Sequence, residues 1–296
     1  MLVLGVGGVL GEAWLSGVLA GITVASGTDF RECQSFVGTS AGSIVAAYVA
    51  AGHSPPAVAD GTEADPERDT AERGLATALL RGAGRASLAA TLPLAPFLLT
   101  AAAPAGALAR AALLARTPAG SIALDDLRAR IEQLGGHFDG RLRVVAVDRA
   151  SGKRVVFGSP DAPETTVGDA VVASCAVPSL MRPAIIGGRT YVDGGVWSPT
   201  NLDVAPVRRG DRVLCLVPTA RLGAGGASPA RALRLAWRAT TGLEVAALRR
   251  RGADVRIVGP DDEAAAAMGD RLMDPKLRER AAGAGRRQGR RLAAIR

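Results

Sequence analysis

Histidine is nearly missing from this chain of 296 residues, which contains only His53 and His137. A serine hydroxyl needs a base to remove its proton before it becomes a strong nucleophile, and histidine is the usual base. In hydrolases with the chain order Ser…Asp…His the histidine follows the acidic residue, but both histidines here lie in the first half of the chain. His53 lies next to prolines and His137 follows two glycines, so we predict that both are surface residues. The sequence therefore disfavours a serine–histidine triad, and a carboxylate is the expected base for any serine nucleophile.

Cysteine is also scarce, with Cys33, Cys175 and Cys215 widely spaced along the chain. An odd number of distant cysteines excludes a disulfide framework and predicts reduced residues of a cytosolic core. The first apolar run, Met1–Leu4, is short and has no basic segment before it. We therefore expect no signal peptide and a cytoplasmic location.

Lysine is replaced almost entirely by arginine, since only two of the 36 basic residues are lysines. The positive charge is concentrated at the end of the chain, where residues 271–296 carry nine basic side chains and only Asp274 and Glu279 as acids. Such a segment forms either a solvated helix face or a contact with an anionic membrane surface. It contains no aromatic residue on which bases could stack, so we expect no nucleic-acid partner. The oligomeric state is left open.

Apolar runs and amphipathic segments alternate along most of the chain and predict a single α/β domain with a mainly parallel sheet and helices on both faces. The predicted strands are Met1–Leu4, Ser35–Val37, Leu142–Val147, Val155–Phe157, Ile185–Ile186, Thr190–Val192, Val213–Val217 and Val255–Val258. The predicted helices are one after residue 11, then Ala41–Ala51, Ser121–Leu134, Val167–Cys175, Pro229–Arg250 and Lys276–Ala294.

Residues of about 54–120 interrupt this regular pattern. They contain an uncharged stretch from Ala86 to Ala109, which is long enough to cross a bilayer. Prolines within the stretch, such as Pro93 and Pro96, would break a membrane-spanning helix. We therefore interpret this part as a helical, apolar cap inserted over the site, followed much later by the basic C-terminal segment at about 271–296.

A Gly-x-Ser-x-Gly pattern, Gly38-Thr39-Ser40-Ala41-Gly42, lies where a predicted strand leads into a helix. A serine on so sharp a turn needs small neighbours, because the backbone must fold tightly to leave its hydroxyl exposed. Ser40 is therefore the first candidate nucleophile. In a glycine-rich chain such a pattern also arises by chance, so its context has to support it.

Glycines follow the first strand as well, in Gly5-Val6-Gly7-Gly8-Val9-Leu10-Gly11. A dinucleotide-binding loop would need a third glycine where Leu10 stands and an acidic residue after a second strand, and it has neither. The remaining interpretation is an anion cradle, in which successive N–H groups at the start of a helix stabilise an oxyanion.

Asp193 ends a predicted strand and is followed by Gly194 and Gly195, which let the backbone turn close to a neighbour. Active sites of α/β folds lie at such strand ends, and this makes Asp193 the best-placed carboxylate. Asp-Gly is also a common pair in ordinary turns, and spacing alone does not decide between the two interpretations.

Taken together, the glycine loop Gly7–Gly11, the elbow Gly38–Gly42 and Asp193-Gly194-Gly195 resemble the patatin-like phospholipases, as does the linking segment Ala173–Pro178. The resemblance implies a three-layer α/β/α lipid acyl hydrolase with a Ser-Asp dyad that needs no metal and no cofactor. Ser40 would be the nucleophile, Asp193 the base, and the N–H groups of Gly7 and Gly8 the oxyanion hole. The supporting glycines implied by the same motifs are Gly11, Gly38, Gly42, Gly194 and Gly195.

The loop departs from the family pattern Gly-Gly-Gly-x-Arg/Lys-Gly at two positions, Val6 and Leu10. The change at Leu10 removes a cation that could hold an anionic substrate group, so the sequence does not predict a preference for phosphate headgroups.

From these motifs we expect a serine esterase of lipid metabolism that cleaves lipid esters, with phospholipid, lysophospholipid, neutral glyceride and thioester all open as substrates. The partner would be a lipid or ester substrate, with peripheral contact to an anionic membrane. The alternative is a catalytically weak lipid-binding or membrane-docking protein that keeps the fold.

Overall fold

The computed structural model describes residues 1–55, 106–222 and 229–294. Most of the predicted cap, including the uncharged stretch as far as residue 105, lies outside these residues.

Eight strands of the described residues form one mixed sheet in the order β5-β6-β3-β2-β1-β7-β8, with β4 also paired to β3. Strands β3, β2, β1, β7 and β8 are parallel, whereas β4 and β6 run antiparallel to β3 and β5 runs antiparallel to β6. The mainly parallel sheet predicted from the sequence is confirmed. The strands are β1 (Leu2–Leu4), β2 (Phe36–Thr39), β3 (Leu142–Asp148), β4 (Arg154–Phe157), β5 (Ala184–Ile186), β6 (Arg189–Asp193), β7 (Arg212–Leu216) and β8 (Asp254–Val258).

Helices cover both faces of this sheet. They are α1 (Gly8–Ser26), α2 (Ala41–Ala50), α3 (Gly106–Arg116), α4 (Asp125–Glu132), α5 (Val167–Cys175), α6 (Pro229–Arg250), α7 (Asp262–Met268) and α8 (Arg278–Ala294). Successive side chains of a strand point to opposite faces, and β1 shows the result. Leu2 and Leu4 join the core cluster formed with α1, α2 and α5, while Val3 joins a second cluster with Leu248 of α6. The three layers thus follow from an apolar strand that is buried on both sides.

Helix α1 packs against α8 at very short range through glycines on both helices. A Cβ atom added to Gly17 would lie 2.2 Å from the carbonyl oxygen of Ala282, and one added to Gly21 would lie 2.2 Å from that of Arg286. From the other side, a Cβ on Gly289 would lie 2.3 Å from the oxygen of Val18. Helix α1 is long and apolar enough to cross a membrane by composition, but most of it is buried within the fold.

Two predicted helix starts are corrected by the structure. Helix α4 begins at Asp125 rather than Ser121, because Ile122 forms a parallel bridge with Met181 and therefore stays extended. Helix α8 begins at Arg278, after a separate 3-10 turn at Pro275–Leu277 that replaces the predicted first residues.

Helix α7 was absent from the prediction. Its N-terminus is capped by the side chain of Asp261, which accepts a hydrogen bond from the N–H of Ala264 at 2.9 Å. Its acids also pair with the basic terminal helix: Arg291 lies 2.6 Å from Asp261, and Arg287 lies 2.5 Å from Glu263. Part of the positive charge of the C-terminal segment is thus balanced within the fold.

Candidate active site

Ser40 lies on a sharp turn between β2 and α2. Its backbone angles, φ 53° and ψ −124°, belong to a region that non-glycine residues rarely occupy. The flanking glycines allow the turn, because a Cβ on Gly38 would lie 2.5 Å from the Cα of Ser43 and one on Gly42 would lie 2.0 Å from the oxygen of Leu4. The turn therefore presses tightly against its own helix and against β1, and it leaves the Ser40 side chain on the wall of a cavity.

Two further serines hold the backbone of this turn. The N–H of Ser40 donates to Oγ of Ser174 at 2.9 Å, and that hydroxyl donates in turn to the carbonyl oxygen of Val145 at 2.7 Å. The hydroxyl of Ser43 donates back to the carbonyl oxygen of Ser40 at 2.6 Å and is fully buried. Ser43 is thus engaged within the helix, whereas Ser40 faces the cavity.

Asp193 ends β6 and is completely buried. Its Oδ1 accepts a hydrogen bond from the N–H of Gly195 at 2.7 Å. Burial raises the pKa of Asp193 to about 7, because a buried carboxylate loses its hydration, while hydrogen bonding from the Ser40 hydroxyl and from Gly195 opposes the rise. Among the described residues no hydrogen bond of standard geometry reaches Oδ2. The Ser40 hydroxyl is near enough to the carboxylate to lower its pKa, but the contact lacks standard hydrogen-bond geometry. Catalytic hydrogen bonds are often long or poorly aligned before substrate binds.

The sheet topology explains how two residues so far apart in sequence meet. Strands β2 and β6 both pair with β3, where Thr39 is opposite Val145 and Asp193 is opposite Ala146. Gly194 makes the approach possible, since a Cβ there would lie 2.3 Å from the oxygen of Val145 and 3.0 Å from Cγ2 of Thr39.

The glycine loop leads into the N-terminus of α1 on the same cavity. Among the described residues, the N–H groups of Gly7, Gly8 and Val9 form no hydrogen bond, whereas those of Leu10 and Gly11 donate to Leu272 and Gly7. Three free donors at the positive end of a helix dipole form a suitable environment for a negative oxygen.

Both predicted glycines of this loop are required sterically. Gly8 has φ +59°, and a Cβ there would lie 2.7 Å from the sulfur of Met273. A Cβ on Gly7 would lie 2.6 Å from the Cα of Gly11, which itself packs on Pro218. Leu10, at the position of the missing cation, is fully buried in the core and brings no charge to the site.

The cavity next to Ser40 has a volume of about 120 Å³ and an almost wholly apolar wall. Most of its lining residues come from α1, α2, α4 and the loops after α5 and β7, such as Val9, Ile44, Leu127, Val177 and Leu222, and Trp237 of α6 completes the wall. Glu12 is the one charged residue among the described lining residues, and it lies 3.5 Å from Arg278 and 3.9 Å from Arg130. The wall suits a hydrocarbon chain better than a phosphate.

The histidines lie apart from this arrangement. His53 and His137 are both exposed, as predicted, and neither is among the residues that line the cavity. Cys175 does line it, but burial raises the pKa of its thiol far above the usual range, so the thiol stays protonated. Within the described ranges no group of three or more His, Cys, Asp or Glu side chains converges as a metal site would.

Comparison with known proteins links these features to a known family. The sequence model of the patatin-like phospholipase family matches residues 2–206, a span that contains the glycine loop, the Ser40 turn and Asp193. A search of curated proteins found no match.

Proposed function

Because this chain belongs to the patatin-like phospholipase family, whose members are lipid acyl hydrolases, we propose that it hydrolyses lipid esters with a dyad of Ser40 and Asp193. The observation that carries the proposal is the strained turn that holds the Ser40 hydroxyl beside a buried carboxylate and on the wall of an apolar cavity.

In the first half-reaction, Asp193 accepts the proton of the Ser40 hydroxyl while Oγ attacks the acyl carbonyl carbon. The carbonyl oxygen becomes negative, and the N–H groups of Gly7 and Gly8 stabilise it. When the tetrahedral intermediate collapses, the ester C–O bond breaks and the leaving alcohol takes the proton from Asp193. A base acts best when its pKa lies near the working pH, and the pKa of Asp193, about 7, fits that requirement.

In the second half-reaction, water replaces the alcohol. Asp193 removes a proton from the water, which attacks the acyl-serine, and the same N–H groups stabilise the second oxyanion. Collapse releases the fatty acid and returns the proton to Ser40. Phospholipase A, lysophospholipase and carboxylesterase activities all share these steps, so the dyad fixes the reaction and the cavity selects the acyl group.

The apolar wall of the cavity favours a substrate with no charge near the scissile bond. The cavity wall contains no Arg or Lys among the described lining residues, and Leu10 removes the cation usual in the family. Neutral glycerides and simple fatty esters therefore fit this wall better than a phosphate-bearing group. Rates measured over a matched set of acyl chain lengths, each with a neutral and a phosphocholine headgroup, test this preference.

We also propose that the protein is cytoplasmic and works at a lipid surface. Helix α6 forms part of the cavity wall through Trp237, and it exposes Leu235, Arg238 and Leu243. Apolar side chains among arginines are typical of helices that lie on anionic membranes. The C-terminal segment contributes less, because Arg287 and Arg291 already pair with acids of α7.

The rival function, lipid binding without catalysis, is separated from the proposal by covalent labelling. A fluorophosphonate probe should label the wild-type protein and the Ser43→Ala variant but not the Ser40→Ala variant, because Ser43 has no access to the cavity. Labelling that persists in Ser40→Ala would place the nucleophile elsewhere. Absence of labelling and of ester hydrolysis in the wild type would favour the binding function.

A further inference from the structure

Asn201 is a buried residue near the site that no motif singles out. It follows β6 and precedes the 3-10 turn Leu202–Val204, and it is fully buried. Its side-chain NH₂ group lies 2.9 Å from the carbonyl oxygen of Ser198, 3.2 Å from Oγ1 of Thr39 and 3.4 Å from the carbonyl oxygen of Gly194. One amide therefore reaches three acceptors, one on β2 and two on the stretch that follows β6.

Two of these acceptors adjoin the proposed dyad. Thr39 immediately precedes Ser40, and Gly194 immediately follows Asp193. Building on the proposed function, we propose that Asn201 is a positioning residue that sets the separation of Ser40 and Asp193 by hydrogen-bonding both flanking residues. Each dyad residue has its own support, Ser174 for Ser40 and Gly195 for Asp193, but those contacts do not link Ser40 to Asp193 through a shared side chain.

The amide is itself held in a fixed orientation. Its oxygen faces Nη1 of Arg154 at 3.3 Å, so the NH₂ group must face Thr39 and Gly194. Arg154 is fixed in turn by Asp203, with two contacts of 2.7 Å. The amide orientation follows from this network, because a flipped amide would bring its NH₂ group against a guanidinium.

The backbone of Asn201 is fixed on both sides by a single carboxylate. Oε2 of Glu244, on α6, accepts from the hydroxyl of Thr200 at 2.6 Å and from the N–H of Leu202 at 2.9 Å. Between them Asn201 adopts φ 48°, a left-handed conformation that asparagine tolerates better than most residues. Asn201 thus adopts an unusual backbone conformation, and in this conformation its amide faces Thr39 and Gly194, the neighbours of Ser40 and Asp193.

This arrangement predicts an effect on turnover rather than on substrate binding. Neither Asn201, Thr39 nor Gly194 is among the residues that line the cavity. Loss of the amide should loosen the approach of the Ser40 hydroxyl to Asp193 and leave the cavity wall intact. A displacement of about 1 Å in a reacting pair costs roughly 100-fold in rate.

The test uses Asn201→Gly, which keeps the left-handed backbone accessible, and Thr39→Val, which removes one acceptor at constant shape. With a short soluble ester as substrate, we expect kcat to fall by roughly 10-fold to 100-fold in Asn201→Gly, with KM within about twofold. Fluorophosphonate labelling of Ser40 should slow in proportion. In the double variant the losses should not multiply, because Asn201→Gly already removes the hydrogen bond that Thr39→Val would remove.

A second readout separates positioning from a merely structural role. Hydrogen bonding from the Ser40 hydroxyl lowers the pKa of Asp193, so a looser contact should move the acid limb of the pH–rate profile to higher pH. Unchanged kcat and an unchanged acid limb in folded Asn201→Gly or Thr39→Val would overturn the proposal. So would a rise in KM alone or fully multiplicative losses. If the wild type itself fails to label at Ser40, the proposed function fails first; if the wild type labels and the variants label equally fast, only the positioning role fails.

Discussion

At the scale of single residues, the site stores unfavourable free energy in two places. Ser40 occupies a backbone region that costs about 1–3 kcal/mol for a non-glycine residue. Asp193 is a carboxylate without exposure to water. Both features reduce stability, since a strained backbone and a buried carboxylate each cost free energy. Residues of this kind are typical of sites where reactivity is selected at the expense of stability.

The raised pKa of Asp193 leads to a prediction about pH. The carboxylate must be ionised to accept the Ser40 proton, so kcat/KM should fall as the pH drops through about 7. Asp193→Asn should lower turnover by about 10⁴-fold, as loss of a catalytic base or its orienting partner does elsewhere. The double change His53→Gln with His137→Gln should leave turnover within a few fold, because both side chains are exposed and outside the cavity. An active Asp193→Asn protein with an inactive histidine variant would restore a histidine mechanism.

The same pKa has a consequence for stability that can be measured separately. Its value in the folded protein lies above the usual 3.8, so the folded state binds more protons than the unfolded state between about pH 4 and pH 7. This group's contribution to the free energy of unfolding therefore decreases as the pH rises through that window. Relative to the wild type, Asp193→Asn should therefore be more stable at pH 8 than at pH 4. Chemical denaturation of both proteins at the two pH values checks this prediction.

At the scale of structural elements, the glycine loop at the start of α1 provides a test of the oxyanion hole. Gly8→Ala would place a methyl group against Met273 and displace the N–H donors. Turnover should fall by about 10²–10³-fold, the usual loss for one donor. Gly27→Ala is the matched control: it also has a positive φ, +71°, at the other end of α1, but its Cβ would meet open space. Equal losses in both variants would mean that backbone strain, not the loop's donors, causes the effect.

The packing of α1 on α8 gives an element-scale prediction about stability. At an interior helix position, alanine normally stabilises the helix by about 1 kcal/mol relative to glycine. At Gly21 the added methyl group would lie 2.2 Å from a backbone oxygen of α8, so Gly21→Ala should instead destabilise the protein by about 1–3 kcal/mol. Gly283→Ala on α8 is the control, since its Cβ would meet only the end of the Arg287 side chain at 3.5 Å. Denaturant midpoints should fall in the first variant and hold or rise in the second.

The sequence predicted most elements because their signals are local. The Ser40 turn, the glycine loop and the strand before Asp193 each lie within a few residues, and apolar runs marked the strands on both sides of the sheet. Ser174 and Asn201 were missed because their partners lie 134 and 162 residues away, at Ser40 and Thr39, and come close only through β3. Helix α7 was missed because its seven residues are mostly alanine and show no clear periodic pattern.

At the scale of the whole molecule, the distribution of charge matters more than its total of +8. The basic C-terminal helix packs its small residues on α1, and some of its arginines pair with α7. Helix α6 differs, because its only acid, Glu244, is buried and accepts hydrogen bonds from the residues on either side of Asn201. Its outer surface therefore combines positive charge with exposed leucines, on a helix whose Trp237 lines the cavity.

This difference predicts which surface meets the lipid. Wild-type protein should co-sediment with vesicles containing phosphatidylglycerol, and salt should weaken binding because each arginine near an anionic surface contributes about 1 kcal/mol. Arg238→Gln and Leu243→Ser should each reduce binding and the rate on vesicle substrate, with little change in the rate on a short soluble ester. Val24→Ser is the matched control, since Val24 is 70% exposed at the far end of α1 and Leu243 is 74% exposed on α6. Equal losses in the Val24 and Leu243 variants would contradict docking through α6, as would binding that ignores both salt and lipid charge.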